Sequence, residues 1–163
     1  MIFTDTIFGL PAHALIVHAV VILMPLASLA VIGMIIRKDW QHEYRWQLLA
    51  LVVVSTASVP LATNSGESLA GRVNQLATTN KALVQAHVNA GENLTPFALL
   101  LLLTTVLILW RGSRLKTRIR TIASALAVVA ALGSIAEVVI IGHSGAKSVW
   151  ANTVANTHSV PGN

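Results

Sequence analysis

The sequence predicts an all-α integral membrane protein: a four-helix bundle carrying a short amphipathic helix at its outer face, in a single domain over residues 1–163. Three observations carry this prediction. Apolar stretches lie near residues 12–36, 46–63, 94–110 and 121–142, and a helix needs about 20 such residues to cross roughly 30 Å of hydrocarbon. Hydrophobic residues make up 55% of the chain and charged residues only 10%, against roughly 25% charged in a soluble domain. The basic residues are also unevenly placed. Arg37, Lys38 and Arg45 lie between the first two spans, and Arg111, Arg114, Lys116, Arg118 and Arg120 between the last two, so eight of the 11 Lys and Arg share one membrane face.

By the positive-inside rule that face is cytoplasmic, which puts both termini outside a bacterial inner (plasma) membrane. The net charge of +5 is then explained by anionic lipid headgroups and not by nucleic acid. Trp40, Trp46 and Trp110 fall at the inner boundary and Trp150 beyond the fourth span, as an interfacial aromatic belt requires. No Lys or Arg precedes the first apolar stretch, so it reads as a retained span and not a signal peptide.

Each element has local support. Pro11 suits the first turn of span one, where a missing N–H costs nothing. Pro25 and Pro60 lie inside spans one and two, with Ser28, Ser55, Thr56 and Ser58 nearby to bond the carbonyls they free. Asn64-Ser65-Gly66-Glu67 reads as a capping box opening a new helix. Over 67–77 that helix would place Leu69, Val73 and Leu76 on one stripe, which continues to Leu83 and His87. Thr78, Thr79 and Asn80 are poor helix formers and predict a break. Span three then starts either near 82 or at Thr95-Pro96. Span four carries a small-residue face of Ala130, Gly133, Ser134, Glu137 and Ser144, suited to close helix contact. Residues 150–163, with His158, form a tail.

The chain has no cysteine, which excludes disulfides, thiolate-ligated clusters and covalent c-type haem. Any metal must rely on His, carboxylate, Met or backbone oxygen. Counting from the basic boundary at about 1.5 Å per residue, His13, His18, His87 and His143 come out roughly 28–36 Å away, at the outer interface; His42 lies at the inner loop. A single interfacial histidine is an ordinary structural residue, but four at one level suggest a metal or b-type haem site. His13 and His18 lie about 140° apart around one helix, so they cannot serve one centre. The deeper His18 is the preferred ligand, and His13 bends inward or supports it. A haem would draw its axial pair from His18, His87 and His143, with Arg72 near a propionate. A single copper or zinc ion would take three of the four histidines. Glu92 is a candidate ligand, although its spacing from His87 is not the Glu-x-x-His of di-iron bundles. Glu67 reads as a cap. Glu137 is the only acidic residue within a span, so it requires a partner: a Ser or Thr of span two holding it neutral, or Arg72 or His143.

Three stretches together resemble a known family: Leu10-Pro11-Ala12-His13 through Val17-His18 and Pro25; Asn64-Ser65-Gly66-Glu67 with Ala86-His87-Val88-Asn89-Ala90-Gly91; and Gly142-His143-Ser144-Gly145-Ala146. The pattern is similar to the bacterial membrane family called domain of unknown function 2231, and the likeness spans nearly the whole chain. It implies a four-helix membrane domain and, by analogy, the manner in which b-type cytochromes offer histidines to haem. This chain has Ala19 where an aromatic often follows the second histidine of the opening. The leading expectation is a membrane electron carrier with a His-lined outer site. The alternative is a non-catalytic subunit of a larger respiratory or transport complex, or a homo-oligomer. No nucleophile–base constellation or phosphate loop points to a stand-alone catalyst.

Overall fold

Four long helices follow the four apolar stretches in the computed structural model, which describes residues 6–7, 10–76, 80–111 and 114–157. A small antiparallel pair, β1 (Thr6–Ile7) and β2 (Leu10–Pro11), leads into α1 (Ala12–Ile36). A single turn, α2 (Trp40–Glu43), precedes α3 (Arg45–Val73), α4 (Lys81–Arg111) and α5 (Thr117–Thr157). α1, α3, α4 and α5 are each long and apolar enough to cross a membrane. Pro11 stands one residue before α1, in an extended conformation with ψ 126°, and not in the first turn.

Two local expectations are corrected and one open choice is settled. Asn64-Ser65-Gly66-Glu67 does not open a helix; it lies inside α3, where the Ser65 hydroxyl donates to the Ala62 carbonyl at 3.0 Å. The segment after Glu67 is therefore no separate amphipathic helix. Its helical part, to Val73, is the end of α3, and Leu76 is exposed beyond it. α4 runs unbroken from Lys81 through Pro96, so span three starts at the earlier of the two expected points. Of the expected break, Asn80 precedes α4 and its Oδ1 accepts the Leu83 N–H at 3.3 Å. Thr78 and Thr79 lie outside the described residues, as do His158 and the rest of 158–163.

The helices form a ring: α1 packs on α3 and α5, and α4 packs on α3 and α5, so α1 and α4 face each other across a diagonal. Both short connections, α1 to α3 and α4 to α5, lie at the end bearing the basic residues. Towards this basic end the interior is filled by large side chains, with Met24, Val31, Met34, Val52 and Leu101 fully buried. Ile22, Leu29, Val54, Leu103 and Val139 point outward and are exposed, the arrangement of a bundle whose solvent is lipid. Gly133 is required by close packing, since a Cβ there would lie 2.4 Å from the Phe97 ring of α4.

Interior hydroxyls mostly return to backbone carbonyls. Ser55 donates to Leu51 at 2.6 Å with the Leu23 carbonyl of α1 at 3.1 Å, Ser58 donates to Ser55 at 2.7 Å, and Thr56 reaches Ala98 of α4 at 3.4 Å. None of these bonds goes to the carbonyl four residues before a proline, as the sequence had suggested; those to Leu23 and Ala98 tie helices together, and the other two stay within α3. The buried hydroxyls of Ser28, Thr105 and Ser134 have no hydrogen-bond partner among the described residues.

Candidate functional site

Towards the other end of the bundle the interior side chains become small, and the helices no longer fill the space between them. Ala62 and Gly66 on α3, Gly91 on α4, and Gly142, Gly145 and Ala146 on α5 line a cavity of about 520 Å³. That volume lies within the range of roughly 300–1,000 Å³ for ligand pockets. All four long helices contribute walls, and these are mostly apolar, with His13, His18, His87, Thr63, Glu67 and Ser148 as the polar exceptions. A Cβ at Gly91 or Gly142 would meet nothing within 4 Å, so both glycines face open space.

Two histidines meet here across the diagonal of the ring. The ring centroids of His13 (α1) and His87 (α4) are 6.0 Å apart, with planes at 80°. Each ring lies on a glycine of the neighbouring helix: a Cβ at Gly66 would be 2.9 Å from His13 Cε1, and one at Gly145 would be 3.0 Å from His87 Cε1. Each ring is also oriented through Nδ1. That of His13 donates to the Ala62 carbonyl at 3.0 Å, with Ser65 Oγ at 3.4 Å. That of His87 lies 3.1 Å from Ser144 Oγ, which gives its own proton to the Ile141 carbonyl at 3.1 Å. A carbonyl only accepts, and a serine oxygen already donating elsewhere must accept from the ring. His13 therefore carries a proton on Nδ1, and His87 does so while the Ser144 hydroxyl stays on the Ile141 carbonyl, which leaves Nε2 with the lone pair of each neutral ring. This is the tautomer a metal-binding imidazole needs, set by a partner on its other nitrogen.

The other expected site residues are placed differently. His18 borders the cavity but is exposed, and its Nδ1 donates to the Ala14 carbonyl of its own helix. His143 is exposed and does not line the cavity. Of the expected trio, His18 and His87 both line the cavity and His143 lies outside its lining, while the rings that meet are those of His13 and His87. The reason is rotational: Ser144 and Gly145 face α4, so His143, one residue earlier, points about 100° away. Glu67 lines the cavity wall, while Glu92 and Arg72 are exposed and outside its lining. Glu137 is half-buried with its Oε2 enclosed and without a hydrogen-bond partner, so that oxygen has none of its three expected partners. Among the described residues no three His, Asp or Glu side chains are grouped to hold a metal ion.

The His13–His87 pairing agrees with the buried faces of the two helices, which the nearly all-apolar sequence of α1 does not mark out. Buried residues on α1 recur at Val20, Met24, Ala27, Val31 and Met34, and one heptad before Val20 is position 13. On α4 the buried Leu94, Ala98 and Leu101 point back in the same way to position 87.

Compared with known proteins, residues 9–158 match the family described as predicted membrane protein, DUF2231. No curated protein and no solved structure matches the chain.

Proposed function

The chain belongs to the DUF2231 family of predicted membrane proteins, and we propose that within it this protein is an electron carrier holding a b-type haem between His13 and His87. The observation that carries the reading is the pair of imidazoles on opposite helices, each with Nδ1 donating, Nε2 available and the other ring 6.0 Å away. His13 and His87, on opposite helices of the cavity, would hold the metal of such a group through Nε2. The apolar wall and the open space before Gly91 and Gly142 suit a large flat hydrophobic group. A four-coordinate zinc or copper ion fits less well, since it needs three or four donors at one point.

When bound, the haem supplies one-electron transfer. The protein's part is to hold both rings in one tautomer, to exclude water with apolar walls, and to anchor the cofactor without a covalent bond, because there is no cysteine. Arg72, near the end of α3, is the basic residue we assign to an anionic propionate edge, with Glu92 and Glu137 outside the ligand set. The basic loops at the far end of the bundle favour an orientation with this site on the outer face of a bacterial inner membrane and both termini outside. A homo-oligomer or a place in a larger complex is compatible with this role.

The test is a visible spectrum of the detergent-purified protein, oxidised and reduced, with and without added haem. A reduced-state α band that disappears on acid–solvent extraction is the expected result for non-covalent haem. A colourless protein that takes up neither haem nor copper nor zinc would overturn the reading and favour a non-catalytic subunit, whose partners should then co-purify.

A further inference from the structure

The two helix pairs correspond in sequence position. The shift that carries His13 onto His87 also carries the buried Val20 onto Leu94, Met24 onto Ala98, Ala27 onto Leu101, Val31 onto Thr105 and Met34 onto Ile108. A second shift carries Ser65 onto Ser144 and Gly66 onto Gly145, all four half-buried, and takes Ala62 onto Ile141, Val59 onto Val138, Ser55 onto Ser134, Val52 onto Ala131 and Leu48 onto Ala127, core positions that are buried in both pairs. Helical periodicity by itself would tolerate a slide of one heptad. The histidines and the Ser-Gly steps do not, and they fix a single register.

The interactions repeat with the residues. In each pair, an Ala-His step on the first helix lays its ring over the glycine of a Ser-Gly step on the second. In each, the ring nitrogen Nδ1 lies beside that serine, and the serine hydroxyl donates to the carbonyl three residues before it: Ser65 to Ala62, and Ser144 to Ile141. The contacts between pairs repeat too, since α1 packs on α5 as α3 packs on α4. Both pairs run in the same sense, so the operation relating them is a local two-fold axis along the bundle. The two rings meet across that axis.

We infer that this chain is a tandem duplication of a two-helix unit, and that His13 and His87 are equivalent half-sites for a ligand with two matching opposite faces, a metal in a planar tetrapyrrole. This assignment rests on the cofactor reading above and sharpens it. A two-fold cradle presents two donors on opposite sides of the axis and nothing at the corners of a tetrahedron. It also makes the ligand pair symmetric in function: neither histidine is the stronger or the dispensable one. His18 and His143 lie outside the cradle, because their equivalents under the two shifts are Glu92 and Asn64.

Haem titration of the full-length protein in detergent, followed by absorption and electron paramagnetic resonance, tests it. The wild type should bind one haem per chain in a six-coordinate low-spin state. His13→Ala and His87→Ala should each give a five-coordinate high-spin spectrum with losses of affinity within about threefold of each other, and added imidazole should restore the six-coordinate state in both. His18→Ala and His143→Ala should keep the wild-type spectrum. Imidazole rescue separates a lost ligand from a lost fold, and nitrogen-15 spectra of the haem-free protein should show both His13 and His87 protonated at Nδ1. A wild type that takes up no haem overturns the cofactor reading and this assignment together. A wild type that binds haem but depends on His18 or His143, or on only one of His13 and His87, overturns the symmetric cradle alone.

Discussion

In the first helix pair the His13 ring gives its Nδ1 proton chiefly to a backbone carbonyl, that of Ala62 at 3.0 Å, with Ser65 more distant at 3.4 Å. In the second, the His87 ring gives it to a side chain, Ser144 at 3.1 Å. The walls differ as well: Thr63, Glu67 and Leu69 on α3 correspond to Gly142, Ala146 and Ser148 on α5. The comparison teaches that a duplicated scaffold can hold two rings in one tautomer by acceptors of different permanence. A main-chain carbonyl moves only with its helix, whereas a hydroxyl is one substitution from absence.

The largest expected effect comes from the glycines under the rings. Leucine at position 66 or 145 would place its Cβ within 3 Å of a ring carbon and its remaining atoms in the cavity. Gly66→Leu and Gly145→Leu should each weaken haem uptake by more than about 100-fold, as judged by titration, because the ring is displaced and misoriented ligands lose most of their binding energy. A large loss for only one of them would break the equivalence of the two pairs.

Next comes the difference in acceptors. Ser144→Ala should lower cofactor affinity about tenfold, at the lower end of the 10–100-fold typical for removing the partner of a ligating histidine. Ser65→Ala should change it by less than about threefold, since the Ala62 carbonyl remains. Equal effects would show that the carbonyl of Ile141 serves His87 as well as that of Ala62 serves His13. Measured reduction potentials of the same two variants should rank in the same order.

A smaller effect is expected in the packed half. Thr105 is fully buried and its hydroxyl has no hydrogen-bond partner, while its equivalent in the first pair is Val31. Thr105→Val should stabilise the bundle by about 1 kcal/mol, the low end of the cost of an unsatisfied buried polar group, measured by denaturant unfolding in detergent. A destabilised variant would mean that this hydroxyl has a partner in the membrane. The smallest effect belongs to His143→Ala, which removes an exposed ring outside the cavity. It should leave both haem affinity and stability within about twofold of wild type, because surface substitutions away from special contacts usually cost less than about 0.5 kcal/mol.

Some of this was settled by the sequence alone. The number of spans follows from apolar stretches long enough to cross a bilayer, and the level of His13, His87 and His143 follows from the fixed rise of a helix, whatever its neighbours do. The absence of cysteine decided by itself which attachments a cofactor can use. Rotation was another matter. α1 is apolar on nearly every side, so its pattern carries little information about which face turns inward, and depth alone favoured His18 over His13. Packing decided it: α3 offers a glycine and a carbonyl at the level of His13, and a ring seats where both are available. Local chemistry was overridden at Asn64-Ser65-Gly66-Glu67 for a related reason. A capping box stabilises a helix start only if the chain breaks there, and continuing α3 through these residues places Gly66 under His13. Rise along a helix is a property of the backbone, but its facing and its end depend on contacts with residues far away in the chain, and these exist only once the four helices have come together.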